Sequence, residues 1–173
     1  MKEELRKKYL VIRKNILDRD IKNKRILEKI INLKVVREAS IILTYVSINE
    51  EVDTIELIKY LLKNNRLVAV PKVDGNSMNF HYIKSLDDLT KGYMNIYEPV
   101  SGDMVKSFVN AVSITPGISY SNDGYRIGYG KGFYDRFYSK NKVYSIGLCY
   151  RECLTSEKFN DLYDVAVDEI ITD

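Results

Sequence analysis

The sequence predicts an α/β fold: a three-layer α/β/α sandwich with a mainly parallel central sheet, Rossmann-like in its order of elements. Three observations predict it. Residues 40–46, Ser40-Ile41-Ile42-Leu43-Thr44-Tyr45-Val46, are apolar almost throughout, as in a strand buried on both faces. That run, a helical stretch over 54–63 and a second apolar run over 67–70 stand in β-α-β order, which implies parallel neighbours joined by a right-handed crossover. A third strand-like run, 108–114, feeds a glycine-rich turn that opens a helical segment, the parts from which an anion site is built.

The elements follow in order. Residues 2–17 read as a helix whose stripe is Leu5, Ile12 and Ile16, widened by Val11 and Leu17. Lys2, Arg6 and Arg13 lie on or near the other side, and Lys2 and Arg6 share a face at a spacing of four. They are either a solvated basic face or a phosphate clamp reaching the glycine turn. A second helix spans 20–33 with Ile26, Leu27, Ile30 and Ile31 inward, and Asp18 or Asp20 as its cap. After the strand at 40–46, the polar residues 47–53 lead into the helix at 54–63, where Ile55, Leu57, Ile58, Leu61 and Leu62 face inward. The strand at 67–70 is closed by Pro71. Residues 78–83 read as a strand, 86–92 as a turn or short helix, 96–99 as extended chain before proline, and 100–107 as a mobile loop. The next helix covers 131–139, a core strand 143–150, an irregular polar stretch 151–166, and a terminal strand 167–172. Ligands in such sheets bind beyond the carboxyl ends of the strands, here 47–54 and Pro71-Lys72. Glu51 is therefore a candidate ligand contact. The alternative is an acid complementing the dipole of the following helix.

No repeat or linker divides the chain, so residues 1–173 form one domain, long enough for a full core. The net charge of +3 suits an anionic ligand and is too small to imply nucleic acid. Cys149 and Cys153 have no metal-ligating neighbours, and the single histidine, His81, reads as a surface strand residue, which argues against zinc. Few cysteines suit a reducing cytoplasm. The charged start, from Lys2 onward, carries no signal-peptide pattern, and no apolar run approaches the ~18 residues of a membrane helix.

Five of the nine glycines fall between Pro116 and Arg136. A Walker loop is excluded because position 125 is Tyr and position 132 is Gly, and the dinucleotide fingerprint because Gly128, Gly130 and Gly132 are evenly spaced. The stretch is a phosphate-binding loop or a surface turn. Arg126, Lys131, Arg136, Asp135 and the aromatic Tyr125, Tyr129, Phe133 and Tyr134 favour the former, with a flat ligand beside it.

The run Gly124-Tyr125-Arg126-Ile127-Gly128-Tyr129-Gly130-Lys131-Gly132-Phe133-Tyr134-Asp135-Arg136 resembles the signature loop of the 5-formyltetrahydrofolate cyclo-ligases, also called methenyltetrahydrofolate synthetases. The resemblance continues, in the family's order, through Lys2-x-x-x-Arg6, Ile41 to Ser47 with Glu51-Val52-Asp53-Thr54, Val70-Pro71-Lys72, Ile96-Tyr97-Glu98-Pro99, and Tyr163-Asp164-Val165-Ala166-Val167-Asp168. It implies that Lys2, Arg6, Arg126, Ile127, Gly128, Tyr129, Gly130, Lys131, Gly132, Phe133 and Tyr134 hold ATP. It implies that Val46, Glu51, Tyr129, Gly130, Lys131, Gly132 and Phe133 border the folate. Asp135 and Asp164 match the family's magnesium carboxylates, and Lys131 and Arg126 its catalytic cations. The implied reaction closes 5-formyltetrahydrofolate to 5,10-methenyltetrahydrofolate with release of ADP and phosphate, through a phosphorylated formyl group. It further implies a cytoplasmic monomer acting on small molecules, with no nucleic-acid or membrane partner.

Two other readings come from the residues alone. The basic first helix and the many tyrosines suit a non-catalytic nucleotide- or RNA-binding module. A phosphosugar or acyl-CoA enzyme on a related sheet is the third, and lacks an evident catalytic base other than Glu51.

Overall fold

Helix α1 (Lys2–Lys14) buries Leu5, Tyr9 and Arg13, which recur every four residues and so lie on one line. The computed structural model describes residues 1–173, the side chain of Tyr93 excepted. The helix stops at Lys14, three residues short of the expected end. Leu17 therefore lies outside it, and Leu17 and Val11 are 79% and 62% exposed instead of widening the buried stripe. Arg13, expected on the solvated side, is among the buried residues.

Helix α2 (Arg19–Asn32) buries Ile26 and Ile30, and its N-cap residue Asp18 makes no side-chain capping bond. A short helix α3 (Lys34–Glu38), which no sequence pattern marks, follows. Strand β1 (Ile41–Thr44) is buried at every position. Helix α4 (Ile55–Lys63) starts after Thr54, whose hydroxyl donates to Tyr45 O at 2.7 Å while Asp53 accepts the first-turn N–H of Ile55 at 3.0 Å. Strand β2 (Leu67–Asp74) runs through Pro71 rather than ending there, because its pairing with β1 covers only Leu67 to Ala69 and no β1 partner needs an N–H at position 71. Strand β3 (Ser77–Ile83) pairs antiparallel along β2.

A two-stranded ribbon, β4 (Leu89–Lys91) and β5 (Tyr97–Pro99), lies beyond. The segment expected to be a mobile loop is tied to β3: Tyr82 N–H reaches Asp103 O at 3.0 Å, Val105 N–H reaches Phe80 O at 2.8 Å, and Val105 is buried. Strand β6 (Ala111–Pro116) enters the sheet beside β1. A small hairpin, β7 (Ser119–Ser121) and β8 (Arg126–Ile127), comes next. Helix α5 (Phe133–Lys140) begins two residues later than expected, which leaves Lys131 outside it. Strand β9 (Tyr144–Leu148), the short strand β10 (Leu154–Thr155) and strand β11 (Glu169–Ile171) complete the chain.

The main sheet has six strands in the order β11-β9-β6-β1-β2-β3, parallel except for the β2–β3 pair. Alternation along the strands sends side chains to both faces. Ile42, Val68, Val112 and Ile146 join α1, α2, α3 and α4 in the larger core, while Ile41, Leu43, Ala69, Phe80 and Ala111 pack with Phe137 of α5 in the smaller one. Phe137 is fixed there by edge contacts to Phe80 and Phe108 at 5.0 and 5.1 Å. The architecture is thus a helix-flanked, mainly parallel sheet, as the apolar runs predicted. No described helix is long and apolar enough to cross a membrane.

Candidate functional site

The carboxyl ends of β1, β2 and β6 converge on one side of the sheet, and a cavity of about 510 Å³ opens there. Tyr45 and Val46 follow β1, Pro71 and Val73 belong to β2, and Pro116-Gly117 close β6; all border the space. The glycine stretch forms its opposite wall. Gly124 turns the β7–β8 hairpin, Arg126-Ile127 form β8, and the chain then crosses the cavity from Gly128 to Gly132 before α5 begins. Every residue expected from the resemblance to touch ATP, folate or magnesium lines this cavity. Segments from residue 2 to residue 164 meet at one place, which is the geometric core of the expectation.

The cations differ in how they are held. Arg6 Nε donates to Gly128 O at 2.8 Å, so α1 does reach the glycine loop. Lys2 Nζ is shared between Asp161 and Asp164 at 2.6 Å each. The Lys2 ammonium titrates above its ordinary range, because hydrogen bonds and attraction from these carboxylates outweigh the opposing desolvation, the largest single influence. Arg126 is buried and donates to Asp135 Oδ1 at 2.5 Å and to Val165 O at 3.0 Å, with its guanidinium over the Tyr134 and Tyr138 rings. Lys131 is exposed and forms no hydrogen bond or ion pair among the described residues. The i,i+4 helix pair of Lys131 with Asp135 that spacing allowed is therefore absent; Asp135 faces Arg126 instead.

Glu51 lies four residues before α4, too early to serve the helix dipole, which Asp53 and Glu56 serve. Its Oε2 accepts Ile48 N–H at 3.0 Å. Burial pushes its carboxyl above the usual range, opposed by that hydrogen bond and by the Arg13 charge.

The carboxylates of Asp135 and Asp164 each retain one oxygen without a hydrogen bond among the described residues. Asp135 uses Oδ1 for Arg126 and Val165 N–H, and Asp164 uses Oδ2 for Lys2 and Asp161 N–H. Hard oxygen donors in so small a number fit Mg²⁺, which is commonly held by one or two carboxylates and completed by phosphate and water. No cluster of three or more potential metal-ligating side chains exists among the described residues.

Two contributors carry no clear mark in the sequence. Arg13 donates to Tyr129 Oη at 2.7 Å and to Gly117 O at 3.5 Å, tying α1 to the cavity wall, while its buried Nε has no hydrogen-bond partner among the described residues. Its spacing of four from Tyr9 and eight from Leu5 was the available signal. Asp161 holds Lys2 from 159 residues away, and no local pattern marks it.

The model of the 5-formyltetrahydrofolate cyclo-ligase family matches residues 1–173. A 5-formyltetrahydrofolate cyclo-ligase of Mus musculus is 27% identical over 142 residues, spanning 73% of this chain and 70% of its own length. That of Mycoplasma pneumoniae is 30% identical over 132 residues, spanning 75% and 70%. The solution structure of 5,10-methenyltetrahydrofolate synthetase from Aquifex aeolicus superposes with a TM-score of 0.86 at 29% identity, covering 98% of this chain and 88% of that one. A 5,10-methenyltetrahydrofolate synthetase structure from Mycoplasma pneumoniae shares the fold, with a TM-score of 0.80 at 23% identity over 99% and 98% of the two chains.

Proposed function

The chain belongs to the 5-formyltetrahydrofolate cyclo-ligase family, and we propose that its cavity couples ATP to the ring closure of 5-formyltetrahydrofolate into 5,10-methenyltetrahydrofolate. The observation that carries this is the meeting, in one cavity, of Lys2 and Arg6, the glycine loop with Lys131, and Glu51 with Val46. Family membership makes the protein an enzyme and displaces the binding-module and phosphosugar or acyl-CoA readings.

A formamide oxygen is a poor leaving group. Transfer of the γ-phosphoryl group to that oxygen gives an iminium phosphate. N10 then attacks the formyl carbon and gives up its proton to the departing phosphate or to water, so that the ring closes as the C–O bond to phosphate breaks. Such transfer depends on positioning and charge neutralisation more than on covalent help from the protein. Lys2, Arg6 and Arg126 neutralise phosphate charge from the wall opposite Glu51. Lys131, free of any internal partner, moves with the transferred group. Backbone N–H groups of the loop face the phosphates where α5 begins. Asp135 and Asp164 hold magnesium, which supplies further charge neutralisation when bound. Val46, Glu51, Tyr129 and Phe133 hold the folate so that N10 sits near the activated carbon, a proximity effect of potentially several kcal/mol.

The test follows formation of the methenyl product by its ultraviolet absorbance. A signal that needs both ATP and Mg²⁺ is expected, and none from a folded, magnesium-loaded sample would overturn the proposal. Lys131→Ala should lower turnover at least tenfold, roughly 1.4 kcal/mol in barrier. Its stability should stay within about 0.5 kcal/mol because the side chain is exposed and unpaired.

A further inference from the structure

Four carboxylates line the cavity, and they divide into two kinds. Asp135 and Asp164 are neutralised by Arg126 and Lys2. Glu51 and Glu98 form no ion pair among the described residues. An acid without an ion-pair partner on a cavity wall has acceptor positions open to donors of whatever enters. Glu98 is placed for that. It lies on β5, and its Oε1 accepts Val73 N–H of β2 at 3.2 Å. Its carboxylate also rests over Gly92, where a Cβ would stand 2.2 Å from Oε2; the missing side chain makes room for it. The group is thus fixed from two sides. An ionised carboxylate offers about four acceptor positions, and Val73 takes one. Around it the wall is apolar, from Met94 and Ile96 of the ribbon to Val73 and Met78 of the β2–β3 hairpin. The cationic residues belong to the other wall.

We infer that Glu98 reads the donor edge of the ligand's heterocycle, accepting from N3–H and the 2-amino group of the reduced pterin. The inference rests on the folate reading of this cavity and adds a residue and an atom-level contact to it. The neighbouring aliphatic and thioether side chains flank the flat ring, and the carboxylate fixes its rotation. Glu51 belongs to the turn that follows β1, where it accepts Ile48 N–H, and not to the ribbon. A pterin oriented by Glu98 therefore spans the two walls with its substituted side toward the glycine loop.

The experiment compares binding of 5-formyltetrahydrofolate and of its 2-desamino analogue, without nucleotide, by calorimetry. The wild-type protein should bind the analogue at least tenfold more weakly. Glu98→Gln keeps an acceptor for Val73 N–H but offers the donor edge a mismatched amide. It should bind 5-formyltetrahydrofolate at least tenfold more weakly and show little further loss with the analogue, while Mg-ATP raises its melting temperature as in wild type. Equal affinity of Glu98→Gln and wild type for the natural ligand, or equal affinity of wild type for both ligands, overturns the inference and leaves the cyclo-ligase reading standing. The ligand comparison on wild type decides the matter even if the variant does not fold. Failure of wild type to bind 5-formyltetrahydrofolate at all overturns both.

Discussion

At Glu51 two influences oppose each other. Desolvation favours the neutral acid, while Ile48 N–H and the Arg13 charge favour the carboxylate; desolvation wins, so the folded-state value is raised. A raised folded value means the native state binds the proton more tightly than the unfolded chain. The resulting stabilisation is fully present below the ordinary carboxyl value, ~4.3, and is lost as pH rises through the raised folded value. Glu51→Gln mimics the neutral acid and can still accept the Ile48 N–H. Relative to wild type it should gain stability as pH rises from about 4 through the raised folded value, and hold that gain at higher pH. Urea midpoints across that range check this, and a constant difference between the two proteins would contradict it. The same substitution should weaken 5-formyltetrahydrofolate binding if Glu51 contacts the folate. A destabilised acid retained in a cavity is the pattern expected where function and stability conflict.

At the scale of elements, the β7–β8 hairpin presents the glycine loop, and Gly124 sets its turn. Gly124 has φ +89°, and a Cβ there would stand 2.7 Å from Val167 O, a backbone atom that cannot swing aside. Its own carbonyl accepts Val167 N–H at 3.0 Å, so the hairpin is docked on the chain leading into β11. Gly124→Ala should cost about 1–3 kcal/mol through strain and overpacking. Gly128, where an added methyl group would have no neighbour within 4 Å, should tolerate alanine within about 0.5 kcal/mol. Denaturant midpoints separate the two, and similar losses at both positions would contradict this account of the hairpin. The hairpin also shows what sequence patterns reach. The strands of the main sheet were legible because apolar runs at 40–46, 67–70 and 143–150 carry enough residues to show burial on both faces. Strands of two residues, β8 and β10, are shorter than any periodicity, and α3 is a little over one turn. The candidate site was legible as a loop with its cations, which line one cavity, since those residues are contiguous or in one helix. Arg13 was misplaced because a charged residue was assigned to solvent by type, although its position matches the buried line of Leu5 and Tyr9. Burial of its stem and a phenol partner overrode the charge.

The molecule as a whole joins its two ends at the cavity. Lys2, the second residue, bridges Asp161 and Asp164, while Asp135 joins Arg126 to the backbone of Val165. The Lys2–Asp161 pair is largely exposed and contributes little to stability by itself. Its consequence is placement: the cation and the carboxylates proposed to meet a magnesium nucleotide are already brought together in the fold itself. Binding should therefore stabilise the entire fold and not the loop alone, because α1, the hairpin, α5 and the segment before β11 all contribute to one wall. A ligand that binds only the native state at a hundred times its dissociation constant adds about 2.7 kcal/mol. For a chain of this length that raises the melting temperature by roughly 5–10 °C. Mg-ATP should produce such a rise, and ATP with excess chelator a distinctly smaller one. Asp164→Asn should narrow the gap between these two conditions, each measured against the nucleotide-free variant, since its free oxygen is one of the expected magnesium contacts. An undiminished gap in this variant would remove Asp164 from the metal site. A rise confined to hydrogen-exchange protection of residues 126–134, with no change in the melting temperature, would show that the termini are not coupled to the nucleotide.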